Sequence, residues 1–193
     1  MLTAAHCIVP GGTSALVIAG ANNRNVVEGN QQRRTIGSGN FRVHAGYNSG
    51  NLNNDIATLV NFAAFAFNTF VQQIPIQTGT ATFAGVTSTV SGFGRMSDGS
   101  TATSAQVRWV TMPVITNAVC SQTYGGIIIA STICTSTAGG RGTCNGDSGG
   151  PLTFSGNQIG VVSFVAAAGC QAGFPAGFAR VTSFVAWINA NRS

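Results

Sequence analysis

Short apolar runs, broken repeatedly by Gly, Asn and Ser, constrain this chain more than any other feature. QVRWVTMPVI at 106–115 alternates apolar and polar residues, the period that turns one face of a strand to a core, and GNQIGVVSFVA at 156–166 is rich in strand formers. Glycine stands at 26 positions, so turn signals separate most such runs. No long helical pattern alternates with them, which argues against βαβ units and for an all-β sandwich or barrel. The exception is the end of the chain. There VTSFVAWINANR at 181–192 places Val181, Phe184, Val185 and Ile188 on one face of a helix, with Thr182 or Ser183 positioned to cap it. A polar, turn-rich stretch, IPIQTGTATFAG at 74–85, predicts a boundary between two halves, 1–78 and 79–193.

Composition removes several function classes. A chain of 193 residues can bury a core, and 44% apolar against 7% charged residues argues against disorder. The longest candidate for a membrane segment, FAAFAF at 62–67, falls far below the ~18 residues that a spanning helix needs, so a soluble protein with no membrane partner is expected. The opening MLTAAHCIV lacks the basic leader of a signal peptide. The net charge of +5 comes from arginines scattered singly apart from Arg33 and Arg34, with no basic stripe interleaved with aromatics, so no nucleic-acid partner is expected. All nine basic residues are Arg and none is Lys. Arginine keeps its charge where lysine begins to lose it, near pH ~10, which fits an alkaline compartment. The five cysteines contain no C-x-x-C pair, which disfavours zinc and favours disulfides formed in an oxidising compartment, with one thiol left over.

The chemistry sits in TCNGDSGGPL at 143–152, where Gly146, Gly149 and Gly150 surround Ser148. Glycines allow a tight loop that exposes a hydroxyl and aims backbone N–H groups. The short form Gly-x-Ser-x-Gly also matches the nucleophile elbow of α/β-hydrolases, but those enzymes place their acid and base after the serine. After Ser148 this chain has no His, Asp or Glu. A serine nucleophile must therefore recruit its base from His6 or His44 and its acid from Glu28, Asp55, Asp98 or the adjacent Asp147. No aspartate precedes either histidine, which removes the subtilisin order and leaves His, Asp, Ser.

At this point TAAHC at 3–7, NNDIATL at 53–59 and GDSGGP at 146–151 resemble the three active-site motifs of chymotrypsin-like serine proteases in sequence, order and spacing. The resemblance covers nearly the whole chain. It implies two six-stranded antiparallel β-barrels, the first of them incomplete here, followed by a C-terminal α-helix. It also implies the catalytic roles: Ser148 attacks the carbonyl, His6 acts as general base, Asp55 orients it, and the N–H groups of Gly146 and Ser148 form the oxyanion hole. His44, in VHAGYN, is read as a surface or loop histidine, and Asp98, in the turn signature MSDGS, as solvated. Asp147 is implied to pair with the amino terminus that activation cleavage creates.

The same resemblance places Gly142 at the base of the specificity pocket, with Ser163, Phe164 and Val165 along the substrate and Ala176 on the opposite wall. An uncharged base implies cleavage after large or medium apolar residues rather than Lys or Arg, with an elastase-like preference as the alternative. It pairs Cys120 with Cys134 and Cys144 with Cys170, each closure contributing about 3 kcal/mol on a chain-entropy model, and leaves Cys7 unpaired. The pocket segments are similar to those of arthropod digestive chymotrypsins and collagenolytic proteases, which implies a secreted, extracellular enzyme, with an alkaline gut lumen as the setting. No cofactor or metal is implied; Glu28 resembles one ligand of a calcium loop, but a second acidic ligand is missing. Arg34 before TIGS is read as an exposed loop, and NRS at 191–193 fits a glycosylation acceptor pattern. Expected partners are protein or peptide substrates and protein protease inhibitors, with the protein a monomer. The strands that precede the histidine motif in the family are missing, so an N-terminally truncated chain with little activity of its own is expected. The alternative is an inactive homologue acting as a binding protein.

Overall fold

The computed structural model describes every residue except Pro10, Phe62 and Ser193. Among the described residues, eleven strands and two α-helices follow one another as β1 (Leu2–Thr3), β2 (Ser14–Ala19), β3 (Gln32–Gly37), β4 (Phe41–Val43), β5 (Ala57–Leu59), β6 (Thr87–Gly92), β7 (Arg108–Ile115), α1 (Asn117–Tyr124), β8 (Thr132–Thr135), β9 (Pro151–Phe154), β10 (Asn157–Phe164), β11 (Ala176–Arg180) and α2 (Val185–Ala190). The alternating run at 106–115 forms β7, and the run at 156–166 forms β10.

The second half closes a six-stranded antiparallel barrel in the order β10, β11, β8, β7, β6, β9. The first half holds a three-stranded sheet, β1, β5, β4, and a separate hairpin of β2 and β3, and among the described residues these do not close into a second barrel. The fold is mostly β and ends in a short helix.

Strand β10 explains why its sequence is a continuous apolar run rather than an alternation. Val161 and Val162 are neighbours and so face opposite ways. Val162 joins the barrel core with Met112, Ile133, Leu152 and Phe178, whereas Val161 packs with Ala4, Ile56, Val181 and Ile188. Both faces are covered, and both must be apolar. The second cluster ties the segments that carry the first two motifs to the C-terminal helix.

Two local expectations are corrected, and one helix was not foreseen. The segment 181–192 divides into a 3-10 turn, Val181–Phe184, and α2, whose N-cap is Phe184 with no side-chain bond, so neither Thr182 nor Ser183 caps it. Helix α1 has no apolar stripe to betray it: its buried residue is Cys120, and Thr116 caps it by accepting from the Val119 N–H at 3.2 Å. Arg34 lies not in a loop but in β3, opposite Val17, with its guanidinium donating to the carbonyls of Ala63 and Ala64 and stacked over Phe65. Those interactions fix the side chain against the 63–65 segment. The final residue of the Asn191 acceptor pattern, Ser193, lies outside the described residues.

Candidate active site

His6 sits on a 3-10 turn, Ala5–Cys7, which Ala4 and Ala5 anchor by being fully buried. Asp55 lies just before β5 and is 1% exposed. Its carboxylate is bound at both oxygens: Oδ1 accepts the His6 backbone N–H at 2.9 Å, and Oδ2 lies 2.6 Å from His6 Nδ1 and accepts from Ser163 Oγ at 2.6 Å. A buried carboxylate needs such donors to remain charged. The hydrogen bond that His6 donates to Asp55, and after it the side chain of the neighbouring Cys7, push the His6 pKa up to about 10 against the opposing effect of burial. Cys7 itself is free and exposed.

Ser148 projects from the loop between β8 and β9; the Cys144–Cys170 disulfide braces that loop, and a second, Cys120–Cys134, joins α1 to β8. Two glycines carry conformations that side chains resist: Gly146 has φ +100°, and Gly149, at φ +78°, could not hold a Cβ without placing it 2.3 Å from Thr3 Oγ1. In this loop the N–H groups of Asp147, Gly149 and Gly150 are taken by the carbonyls of Cys144, Val162 and Asp147. Those of Gly146 and Ser148 have no acceptor among the described residues. Two free donors flanking a hydroxyl are what a developing oxyanion requires.

His6 and Ser148 line one cavity of about 250 Å3 with Asn145, Ser163, Phe164 and Val165. No hydrogen bond joins Ser148 to His6, the looser arrangement common before substrate binds. Gly142 and Ala176 are not on this lining. Ala176 is fully buried in the barrel core, and a Cβ on Gly142 would meet the Cys170 carbonyl at 3.2 Å. Phe164 is held by an edge contact with Tyr124 and lies so close to β11 that only glycine fits at 177.

Asp147 is held by two backbone amides. Its Oδ1 accepts from the Gly94 N–H at 2.7 Å and its Oδ2 from the Cys144 N–H at 2.9 Å. Gly92 and Gly94 make this possible, since a Cβ on either would lie 2.1 Å or 2.4 Å from the carboxylate.

Asp98 is exposed but is not merely solvated. Its carboxylate accepts the N–H groups of Cys170 at 2.7 Å and Gln171 at 3.0 Å, because the turn delivers it to a loop 72 residues later. His44 lies in a loop, half-buried against the rings of Phe184 and Trp187 at centroid distances of 5.1 and 5.3 Å; it is not on the cavity lining of Ser148, and burial lowers its pKa. Glu28 accepts from the N–H groups of Asn22 and Asn23 and the side chain of Gln31, which lowers its pKa and organises its own loop. Sequence reading missed Asn145 as a cavity residue and the bond from Ser163 to Asp55. No local signal could have found the latter, because the partners are 108 residues apart.

The trypsin family description matches residues 1–188. The chain is 41% identical to brachyurin of Leptuca pugilator over 97% of its own length and 81% of that protein. It is 34% identical to trypsin I-P1 of Gallus gallus over all of its length and 75% of the relative. Among solved structures it resembles an HL collagenase, with a TM-score of 0.86 and 37% identity, covering 98% of this chain and 80% of that one.

Proposed function

The chain belongs to the trypsin family of serine proteases and resembles its arthropod collagenolytic members; from that premise we propose a secreted endopeptidase that cleaves after large or medium apolar residues. The observation that carries the reading is the pairing of His6 with buried Asp55 on the same cavity as Ser148, beside two unengaged N–H groups.

In this mechanism Ser148 Oγ attacks the scissile carbonyl carbon while His6 Nε2 takes its proton, Nδ1 remaining bound to Asp55. The N–H groups of Gly146 and Ser148 receive the oxyanion. Collapse of the intermediate breaks the C–N bond, His6 returns the proton to the leaving amine, and an acyl-enzyme remains. Water, deprotonated by His6, then releases the acid and restores the serine.

Specificity is assigned to Ser163, Phe164 and Val165, which line the cavity along the substrate, with Gly142 and Ala176 assigned by the family resemblance to the wall behind that lining. Phe164 and Val165 supply apolar surface to the cavity, and no charged side chain other than His6 lines it. Halves 1–78 and 79–193 are proposed as the two units that bring His6 with Asp55 against Ser148. The substrates are dietary proteins, collagen among them by analogy with the relatives, and the protein acts as a monomer open to protein inhibitors. Two disulfides favour an oxidising extracellular setting.

The test is labelling with a fluorophosphonate, which reads a nucleophilic serine even when turnover is slow, combined with peptide anilides bearing Phe, Leu, Ala or Arg before the scissile bond. Labelling at Ser148 with Phe or Leu preferred supports the reading, and Ser148→Ala should remove label and about 10^6 in kcat. Preference for Arg overturns the specificity; no labelling of this chain or of the native secreted protein overturns the catalytic role.

A further inference from the structure

Arg180 ends β11 and is 8% exposed, which makes it the most deeply buried of the described arginines. A guanidinium offers five N–H groups. Here Nε donates to the Ala130 carbonyl at 3.1 Å, Nη1 to the Thr82 carbonyl at 2.9 Å, and Nη2 to Asn117 Oδ1 at 3.1 Å and the Thr132 carbonyl at 2.8 Å. One Nη1 hydrogen is left without an acceptor among the described residues, and every acceptor it does have is neutral.

No side-chain carboxylate can supply the missing charge. The chain has only four acidic residues, and each is engaged elsewhere: Asp55 with His6, Asp147 with Gly94 and Cys144, Asp98 with Cys170 and Gln171, and Glu28 with its own loop. A buried cation without an anion is costly unless something compensates it. Arg180 lines a cavity of about 500 Å3, and Thr80, Thr182, Ser183 and Asn117 share the lining. Asn117 also opens the eight-residue helix α1, whose first turn adds positive partial charge on that side.

We propose that this cavity is a binding site for a small oxyanion, a sulfate or carboxylate group, held by the Arg180 guanidinium and by the hydroxyls of Thr182 and Ser183. The site is built from β11, the start of α1 and the turn before α2, and shares no lining residue with the cavity of His6 and Ser148. It therefore takes ligand independently of catalysis, and a substrate or regulator bearing an acidic group is the class it fits.

The direct test is to soak crystals of this chain in selenate, a sulfate analogue with an anomalous signal, and to measure the thermal midpoint in sulfate against chloride at matched ionic strength. A selenate peak beside Arg180, with a saturable rise of the midpoint in sulfate, is expected. Arg180→Met should weaken sulfate binding at least 10-fold. Because that variant removes four hydrogen bonds and can fail to fold, Thr182→Val with Ser183→Ala serves as a second probe and should weaken binding several-fold with the barrel intact by circular dichroism. Displacement of selenate by acetate assigns the site to oxyanions generally, and its failure assigns it to tetrahedral ones. An empty cavity in the soaked crystal, or a sulfate effect unchanged in the double variant, overturns the proposal.

Discussion

Ser163 Oγ donates a 2.6 Å hydrogen bond to Asp55 Oδ2, the same oxygen that faces His6 Nδ1. A residue expected to meet substrate backbone thus also holds the carboxylate that orients the proposed base. Both members are nearly inaccessible, Ser163 at 6% and Asp55 at 1%, so water cannot replace the bond if it is lost.

Ser163→Ala should therefore lower kcat about 10-fold and destabilise the chain by about 1–3 kcal/mol, since it strips a donor from a buried charge. Chemical denaturation and ester hydrolysis measure the two effects. Asp55→Asn should be far more severe, about 10^4-fold in kcat, because it disturbs the tautomer of His6. Equal effects of the two changes would contradict the assignment of Asp55 as the orienting residue.

Activity should rise with pH well above the ordinary histidine range. The base must be neutral, and the His6 pKa is pushed up to about 10 by Asp55 first and by Cys7 second. Its ordinary value is 6.5, so the protonated form is favoured in the folded state. The stabilisation from this group is complete below that value and is lost as pH rises from 6.5 toward about 10. Cys7→Ala should move the acid limb of kcat/KM downward without abolishing activity, because Asp55 remains. A pH profile of both proteins reads this, and coincident limbs would show that Cys7 plays no part.

Gly177→Ala tests the support of the specificity cavity. The new methyl would lie 2.1 Å from Phe164 Cζ, so the ring must leave its seat against Tyr124. Overpacking of this kind costs about 1–3 kcal/mol, and KM for apolar substrates should rise more than kcat falls. An unchanged KM would mean that Phe164 does not shape the pocket.

Asp98→Ala should loosen the loop that carries the Cys144–Cys170 disulfide. Two backbone N–H groups lose their acceptor, each bond being worth about 1 kcal/mol or somewhat more with a charged partner. Their exposure lets water replace part of that, so a rise in KM of a few-fold, with little change in thermal midpoint, is expected from steady-state kinetics.

Much of this protein is legible in the order of its residues. The alternation in β7, the turn signals between strands, and the absence of any acid or histidine after Ser148 are all linear properties, and they suffice to argue an all-β chain and an upstream base. The three motifs add the family, because each local pattern answers a local requirement, such as glycine where a backbone turns against its neighbours. What the sequence could not express are pairings between groups far apart. Helix α1 owes its place to the Thr116 cap and the disulfide of Cys120 rather than to an apolar stripe. Asp98 in a turn looks solvated until the loop of Cys170 arrives, and the loop residue His44 shows nothing in sequence of the Phe184 and Trp187 rings that pack on it. Arg180 is one scattered arginine among nine until the fold buries it and engages all four side-chain carboxylates elsewhere. Residue type sets which interactions a group is able to make; only the closed barrel decides which partners reach it and whether water is left to compete.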